Sequence, residues 1–266
     1  MHTILVSLDG DRQLTNHYRG DGVYEKVMEN LTLIKKNGYN GEIIARMTVS
    51  EDTDIYKQIL WLVNNPNFPF KSIHWQIDAG FWKNDIMNRP FAKWIKEDYN
   101  PDIKKLVNLW LDFIENKNIV LKLYPFLGIM YSLLKNETSL LRCGSGWINY
   151  SIQTDGHIIP CPIMNGIKDF YLGHIKDDHP FTLKKVHVEN PCTSCGILYE
   201  CGGRCLYANL TKRWSKQDYT LVCDSVSNLI ESLKSILPKI KKLIKEGKVN
   251  VSDFKYMKYN CCEIIP

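Results

Sequence analysis

Seven of the nine cysteines in this 266-residue chain fall between residues 143 and 223. Their spacing is Cys143-x17-Cys161, then Cys192-x2-Cys195-x5-Cys201-x3-Cys205, then x17 to Cys223. A Cys-x2-Cys turn lets two thiolates of one short loop point at the same metal or cluster, and Cys201 and Cys205 enlarge that ligand set. Gly202 and Gly203 carry no Cβ, so backbone N–H groups between those cysteines can approach inorganic sulfur closely. Asp155-Gly156 is a two-residue hairpin signal whose turn brings Cys161 back toward the Cys143 side. Four chemistries compete for the thiols. Disulfides fit poorly with short clustered spacings in a chain without a signal-peptide layout, and buried structural thiols need no such density. Zinc held by four thiolates is the serious alternative, although two closed sites need eight ligands. Iron–sulfur clusters fit a set of seven better, because a cluster can leave one iron open or take a non-cysteine ligand; Cys261 or Cys262 near the C-terminus could supply the eighth.

A second constellation lies in the first 80 residues. With side chains alternating at period two, Leu5, Ser7 and Asp9 share one face of a strand; so do Ile44, Arg46 and Thr48, and likewise His74, Gln76 and Asp78. Each set turns polar toward the strand's C-terminal end, where barrel-type sheets carry their functional groups. Three such strands suit a polar ligand. The plainer alternative is that these charges satisfy one another. His74 reads as a hydrogen-bonded core histidine, and Trp75, Phe81 and Trp82 as packing residues.

The elements that must position these groups follow from the hydrophobic pattern. Thr3 to Asp9, Glu42 to Val49 and Lys71 to Asp78 read as strands. Between them, Gly22 to Lys36 carries Val23, Val27, Leu31 and Ile34 at helical spacing, with Lys35, Lys36 and Gly38 as its stop. Ser50 is expected to cap the helix bearing Ile55, Ile59, Leu62 and Val63. The alternation implies an α/β fold with a parallel sheet. Phe81 to Asn136 reads as mostly helical, including one helix opened by Asn100-Pro101. Near Leu140 the character changes, and a last helix after Cys223 carries Leu229, Leu233, Ile236, Ile240 and Leu243, with Pro238 expected to kink or interrupt it. The division is therefore 1–140, 141–225 and 226–266.

Composition narrows the class. The net charge of +5, 44% hydrophobic and 24% charged residues are ordinary for a globular chain and give no reason to expect nucleic acid. The lysines along the last helix read as a solvated face. No apolar run approaches the roughly 20 residues of a membrane span, so a cytoplasmic protein with no membrane partner is expected.

The pattern Cys143-x12-Gly156-x4-Cys161, followed by Cys192, Cys195, Cys201, Cys205 and Cys223, resembles the seven-cysteine signature of the SPASM domain. That domain extends radical S-adenosylmethionine (SAM) enzymes that modify peptides and proteins, including anaerobic sulfatase-maturating enzymes. The opening ILVSLDG, with Arg19 twelve residues past Ser7, is similar to the fourth barrel strand of those enzymes and its following loop. ARMTVSEDTDIYKQILWLVNN, HWQIDAGFW, CGGRCLYAN and CCEIIP resemble an archaeal group of peptide-modifying radical SAM proteins, so the likeness covers essentially the whole chain. It implies two auxiliary 4Fe-4S clusters, one held by Cys192, Cys195, Cys201 and Cys223, the other by Cys143, Cys161 and Cys205 with a fourth corner not assigned. It also implies S-adenosyl-L-methionine in the barrel, with Ser7 at its ribose, Asp9 in the same site, and Arg19 and Arg46 as candidates for its carboxylate or nearby substrate. Expected partners are a peptide or protein substrate and a reductant such as ferredoxin or flavodoxin.

Two departures matter. Pro162 stands where sulfatase-maturating enzymes carry an aspartate implicated as a proton acceptor, so that role does not transfer. The Cys-x3-Cys-x2-Cys triplet at which radical SAM chemistry begins does not occur in this sequence. The expected architecture is thus a partial (β/α) barrel, the C-terminal half, followed by the cysteine-rich domain. Its N-terminal half is expected to be truncated, split onto another chain or lost. A six-unit barrel at roughly 30 residues per unit needs about 180 residues, and 142 precede Cys143. The chain then acts as the substrate-side half of a peptide-modifying enzyme. The alternatives are a non-catalytic electron-relay or peptide-docking half and a zinc-stabilised module.

Overall fold

The computed structural model describes residues 2–80 and 85–258. Four parallel strands, β1 (Thr3–Ser7), β2 (Glu42–Val49), β3 (Ser72–Ile77) and β4 (Lys122–Leu123), form one sheet in the order β1-β2-β3-β4. β2 and β3 are buried almost throughout, as Ile43, Ile44, Ala45, Met47 and Val49 with Ile73, Trp75 and Ile77 require. Such near-continuous apolar strands belong to a sheet covered on both faces. The register sets Ser7 beside Arg46 and Arg46 beside His74, with Thr48 beside Gln76 one step further on. Pairing of equal-height residues thus collects the polar positions at one end of the sheet. The α/β class and parallel sheet are as expected.

Helices connect and cover the strands. α1 (Arg12–Arg19) and α2 (Val23–Lys36) follow β1, and α3 (Ile55–Val63) follows β2. The sequence reading missed α1, which buries only Thr15 and has no apolar stripe to betray it. Its cap is Asp11, whose carboxylate accepts the Leu14 N–H at 2.9 Å. The expected cap of α3 was also misplaced: Asp54, not Ser50, accepts the Lys57 N–H at 2.8 Å, and Ser50 lies in the preceding turn. An aspartate next to the first helical residue outcompetes a serine four positions earlier. After β3 come α4 (Phe91–Trp94), a π-helical turn (Ile95–Tyr99), α5 (Asn100–Lys117) and, beyond β4, α6 (Tyr124–Lys135). The two-residue β4 corrects the expectation that this stretch lacks strands; it is too short to show a period.

The remainder is built differently. β5 (Ser151–Ile152), β6 (His157–Ile159) and β7 (Gly173–His174) form a small antiparallel sheet, with the expected turn at Gly156. Two short helices, α7 (Leu198–Cys201) and α8 (Leu206–Thr211), precede the 30-residue α9 (Lys216–Lys245). Pro238 does not interrupt α9. The apolar stripe of α9, from Leu221 to Leu243, packs on α5 and α6 and shares one core with the large sheet. Trp75, Phe126, Trp110 and Phe254 stack edge-on in the centre of that core at 5.3–5.7 Å.

Candidate functional site

The seven thiols sort into two groups. Cys161 directly follows the β5–β6 hairpin, Cys143 precedes it, and Cys205 is the N-cap of α8. These three lie on one small core made of Leu141, Met164, Leu206 and Tyr207. Burial, reinforced by the neighbouring Cys205 and Cys143, pushes the Cys161 thiol up to about 11. Burial raises Cys205 as well, against the pull of Arg204. The Ser145 hydroxyl stands between two of them, 3.2 Å from Cys143 Sγ and hydrogen-bonded to Cys161.

The second group is Cys192, Cys195, Cys201 and Cys223, which line one cavity of about 60 Å³ with Ile197, Leu198, Val222 and Val226; Cys205 of the first group reaches its wall as well. Burial first, then the proximity of Cys201, Cys192 and Cys195, pushes Cys223 up to about 12. Cys201 is raised by burial but accepts N–H groups from Gly203 and Arg204, the approach expected of the glycine pair. Both glycines have positive φ, and a Cβ on Gly203 would stand 2.8 Å from Val188. Tyr219, one helical turn before Cys223 on α9, places its hydroxyl 3.0 Å from Cys192 Sγ. Cys261 and Cys262 lie outside the described residues, as do Phe81 and Trp82.

The polar strand ends also converge. Ser7, Arg19, Arg46, Thr48, Gln76 and Asp78 line a pocket of about 250 Å³ at the C-terminal edge of the sheet, as their shared faces predict. Asp9 does not line it. Its carboxylate is buried and accepts from Arg19 Nη2 at 2.7 Å and from the Thr48 N–H at 2.9 Å. Arg19 Nε is 2.6 Å from the same carboxylate but not aligned as a hydrogen bond. Asp78 pairs with Arg89 at 3.2 Å, and Arg89 also binds Glu51 at 2.6 Å. Mutual satisfaction therefore describes Asp9 and Asp78, whereas among the described residues Arg46 has only the Gln76 side-chain carbonyl, at 3.4 Å. His74 is fully buried behind this pocket.

Sequence reasoning missed Arg204, Trp214 and Tyr219. Arg204 and Trp214 line both the sheet-edge pocket and the four-cysteine cavity. Tyr219 was signalled only by its i, i+4 relation to Cys223.

No protein-family model matches the chain. It is 24% identical over 251 residues, 85% of its length, to the cysteine-type anaerobic sulfatase-maturating enzyme of Clostridium perfringens (strain 13 / Type A). The chain spans 64% of the length of that relative. Among solved structures it matches native anSMEcpe with bound AdoMet at a TM-score of 0.69 and 20% identity, over 91% of this chain and 69% of that one. It matches native anSMEcpe with bound AdoMet and Kp18Cys peptide at 0.67 and 19%, over 90% and 69%. The expected resemblance is borne out: the chain is homologous to an anaerobic sulfatase-maturating enzyme and shares its α/β fold.

Proposed function

We propose that this chain is the auxiliary-cluster part of a radical SAM/SPASM enzyme that modifies a peptide or protein. The observation that carries the reading is the sorting of seven thiols into a set of four and a set of three, each within electrostatic reach of its own members. Cys192, Cys195, Cys201 and Cys223 would hold one 4Fe-4S cluster, and Cys143, Cys161 and Cys205 three corners of a second.

The donor sets fit that assignment. All seven candidate ligands are thiols, the cavity that the set of four shares is walled largely by apolar side chains, and Gly203 and Arg204 direct N–H groups at Cys201 sulfur. Bound there, such clusters supply one-electron acceptance from the substrate. The protein excludes water through Ile197, Leu198, Val222 and Val226, and Tyr219 holds its hydroxyl on Cys192. At the sheet, read as the C-terminal half of a (β/α) barrel, the pocket would take S-adenosyl-L-methionine. Ser7 would bond the ribose and Arg46 the carboxylate, while Asp9 fixes Arg19 in the wall. The peptide substrate is inferred from the relative solved with a bound peptide.

The test is elemental. Protein prepared without oxygen should carry about eight irons and eight acid-labile sulfides per chain, with broad absorbance near roughly 400 nm. Zinc without sulfide would overturn the reading. Because the 266 residues contain no Cys-x3-Cys-x2-Cys, the same polypeptide alone should release no 5′-deoxyadenosine from S-adenosylmethionine. That absence also keeps a second reading in play, a non-catalytic relay or peptide-docking half. It is distinguished by adding a partner that carries the triplet and asking whether product then forms.

A further inference from the structure

Arg204 occupies an unusual place in the molecule. It sits in the loop between α7 and α8, between Gly203 and Cys205, and with Trp214 it belongs to the walls of both cavities. Its guanidinium lies over the Trp214 ring, 5.6 Å from the centroid. That ring is itself fixed, with Nε1 donating to the Gly80 carbonyl at 3.3 Å and Tyr219 packed edge-on at 5.8 Å. Arg204 Nε is buried without a hydrogen-bond partner, and among the described residues no carboxylate pairs with this side chain.

The surrounding charges leave a surplus of one sign. The pocket contains three arginines, Arg19, Arg46 and Arg204. Arg19 is neutralised by Asp9, and Asp78, the one carboxylate in the wall, is held by Arg89. Among the described residues, Arg46 and Arg204 therefore face a shared space without a counter-charge. A guanidinium presents a planar fork matched to a carboxylate, and stacking on an aromatic ring fixes that fork in one orientation.

We propose that Arg204 is a carboxylate receptor at the junction of the sheet-edge pocket and the four-cysteine cavity, and that it selects peptides bearing an acidic residue beside the position to be modified. The inference rests on the reading that the chain acts on peptides, and it adds the chemical class of substrate. Trp214 is the positioning residue, because it holds the guanidinium rather than touching the ligand.

The test is calorimetric, on the full chain at low ionic strength. Its probes are acetyl-Gly-Ser-Glu-Gly-amide, the same peptide with Gln for Glu, and S-adenosylhomocysteine. The Glu peptide should bind about tenfold more tightly than the Gln peptide, equivalent to about 1.4 kcal/mol. Arg204→Gln should erase that ratio, Arg204→Lys should retain part of it, and the surface variant Arg12→Gln should leave it intact. Should Arg204→Gln fail to fold, Arg204→Lys together with the salt dependence of the Glu preference carries the test. Equal binding of both peptides to the wild-type chain overturns the proposal. So does a loss confined to S-adenosylhomocysteine, which would assign the carboxylate to the nucleoside ligand. Iron and sulfide are measured on the same samples. A cluster-free protein that still prefers Glu would sink the cluster reading alone, whereas a cluster-loaded protein without preference would sink the receptor alone.

Discussion

Around the sheet-edge pocket, the carboxylates are answered by the protein's own arginines. Asp9 holds Arg19, and Arg89 bridges Asp78 and Glu51. The core beneath is continuous, from Leu8 through the stacked aromatic residues to the stripe of α9. Around the thiols the accounting is opposite. Strands are two or three residues long, the local core is Leu141, Met164, Leu206 and Tyr207, and Ile152, Ile163, Ile175 and Phe181 are exposed. Burial, with the neighbouring thiols adding to it, weakens these thiols as acids there, pushing Cys161 up to about 11 and Cys223 up to about 12. The sheet region is held by its own continuous core; the cysteine-rich region has a far smaller one and is the part proposed above to be arranged around clusters. Small cores of this kind are sustained by metal or cross-links rather than by apolar area.

The largest expected effect breaks that contrast directly. Stripping iron from anaerobically prepared protein with a chelator should raise amide hydrogen exchange in β5, β6, α7 and α8 by roughly a hundredfold or more. Exchange in β2 and β3 should stay as it was. Uniform loss of protection would show one cooperative unit. No change anywhere would show that the cysteine-rich region holds itself together, against the comparison drawn above.

A smaller effect is expected in the sheet region. Asp9→Asn removes the charge that pairs with Arg19 and weakens the acceptor of the Thr48 N–H, while keeping the shape. Hydrogen bonds to charged groups in such settings contribute about 2 kcal/mol, so the melting temperature should fall by roughly 5 °C. Iron content should not change. Loss of iron in this variant would mean that the sheet end and the thiols are coupled more tightly than their separate cores suggest.

These contrasts explain what could be read from the sequence. Cysteine spacing is chemistry written in order along the chain, so a dense set of thiol ligands was legible before any fold, while its division into four and three was implied by the family resemblance. The polar strand ends were legible too, because period two and a parallel register bring Ser7, Arg46 and His74 to one level, with Thr48 and Gln76 paired one step further on. What could not be read depends on contacts across long separations. Trp214 meets Gly80 across 134 residues, and Arg204 of the cysteine loop lines the sheet-edge pocket beside both. Asp9 looked like a ligand because it shares a face with Ser7, yet folding turns it onto Arg19. Short or weakly patterned elements, β4 and α1, carried too little periodicity to be recognised.

The smallest effect concerns α9, a helix that belongs to both regions. Its first turns lie among the thiols, with Tyr219 and Cys223, and its middle packs on α5 and α6. Ser215 caps it: the hydroxyl accepts the Asp218 N–H at 3.1 Å, and Asp218 returns to the Ser215 N–H at 3.2 Å. Replacing such a cap by alanine costs about 1 kcal/mol, or roughly a fivefold rise in opening of the first turn. Ser215→Ala should therefore speed exchange between residues 216 and 223 and hasten iron loss by a similar factor. Leu229 to Leu243 should keep their protection, since their burial against the large core does not depend on the cap. If exchange instead rose along the whole helix and the melting temperature fell with it, α9 would be transmitting thiol-site opening into the sheet region. The two regions would then be distinct in chemistry but not in folding.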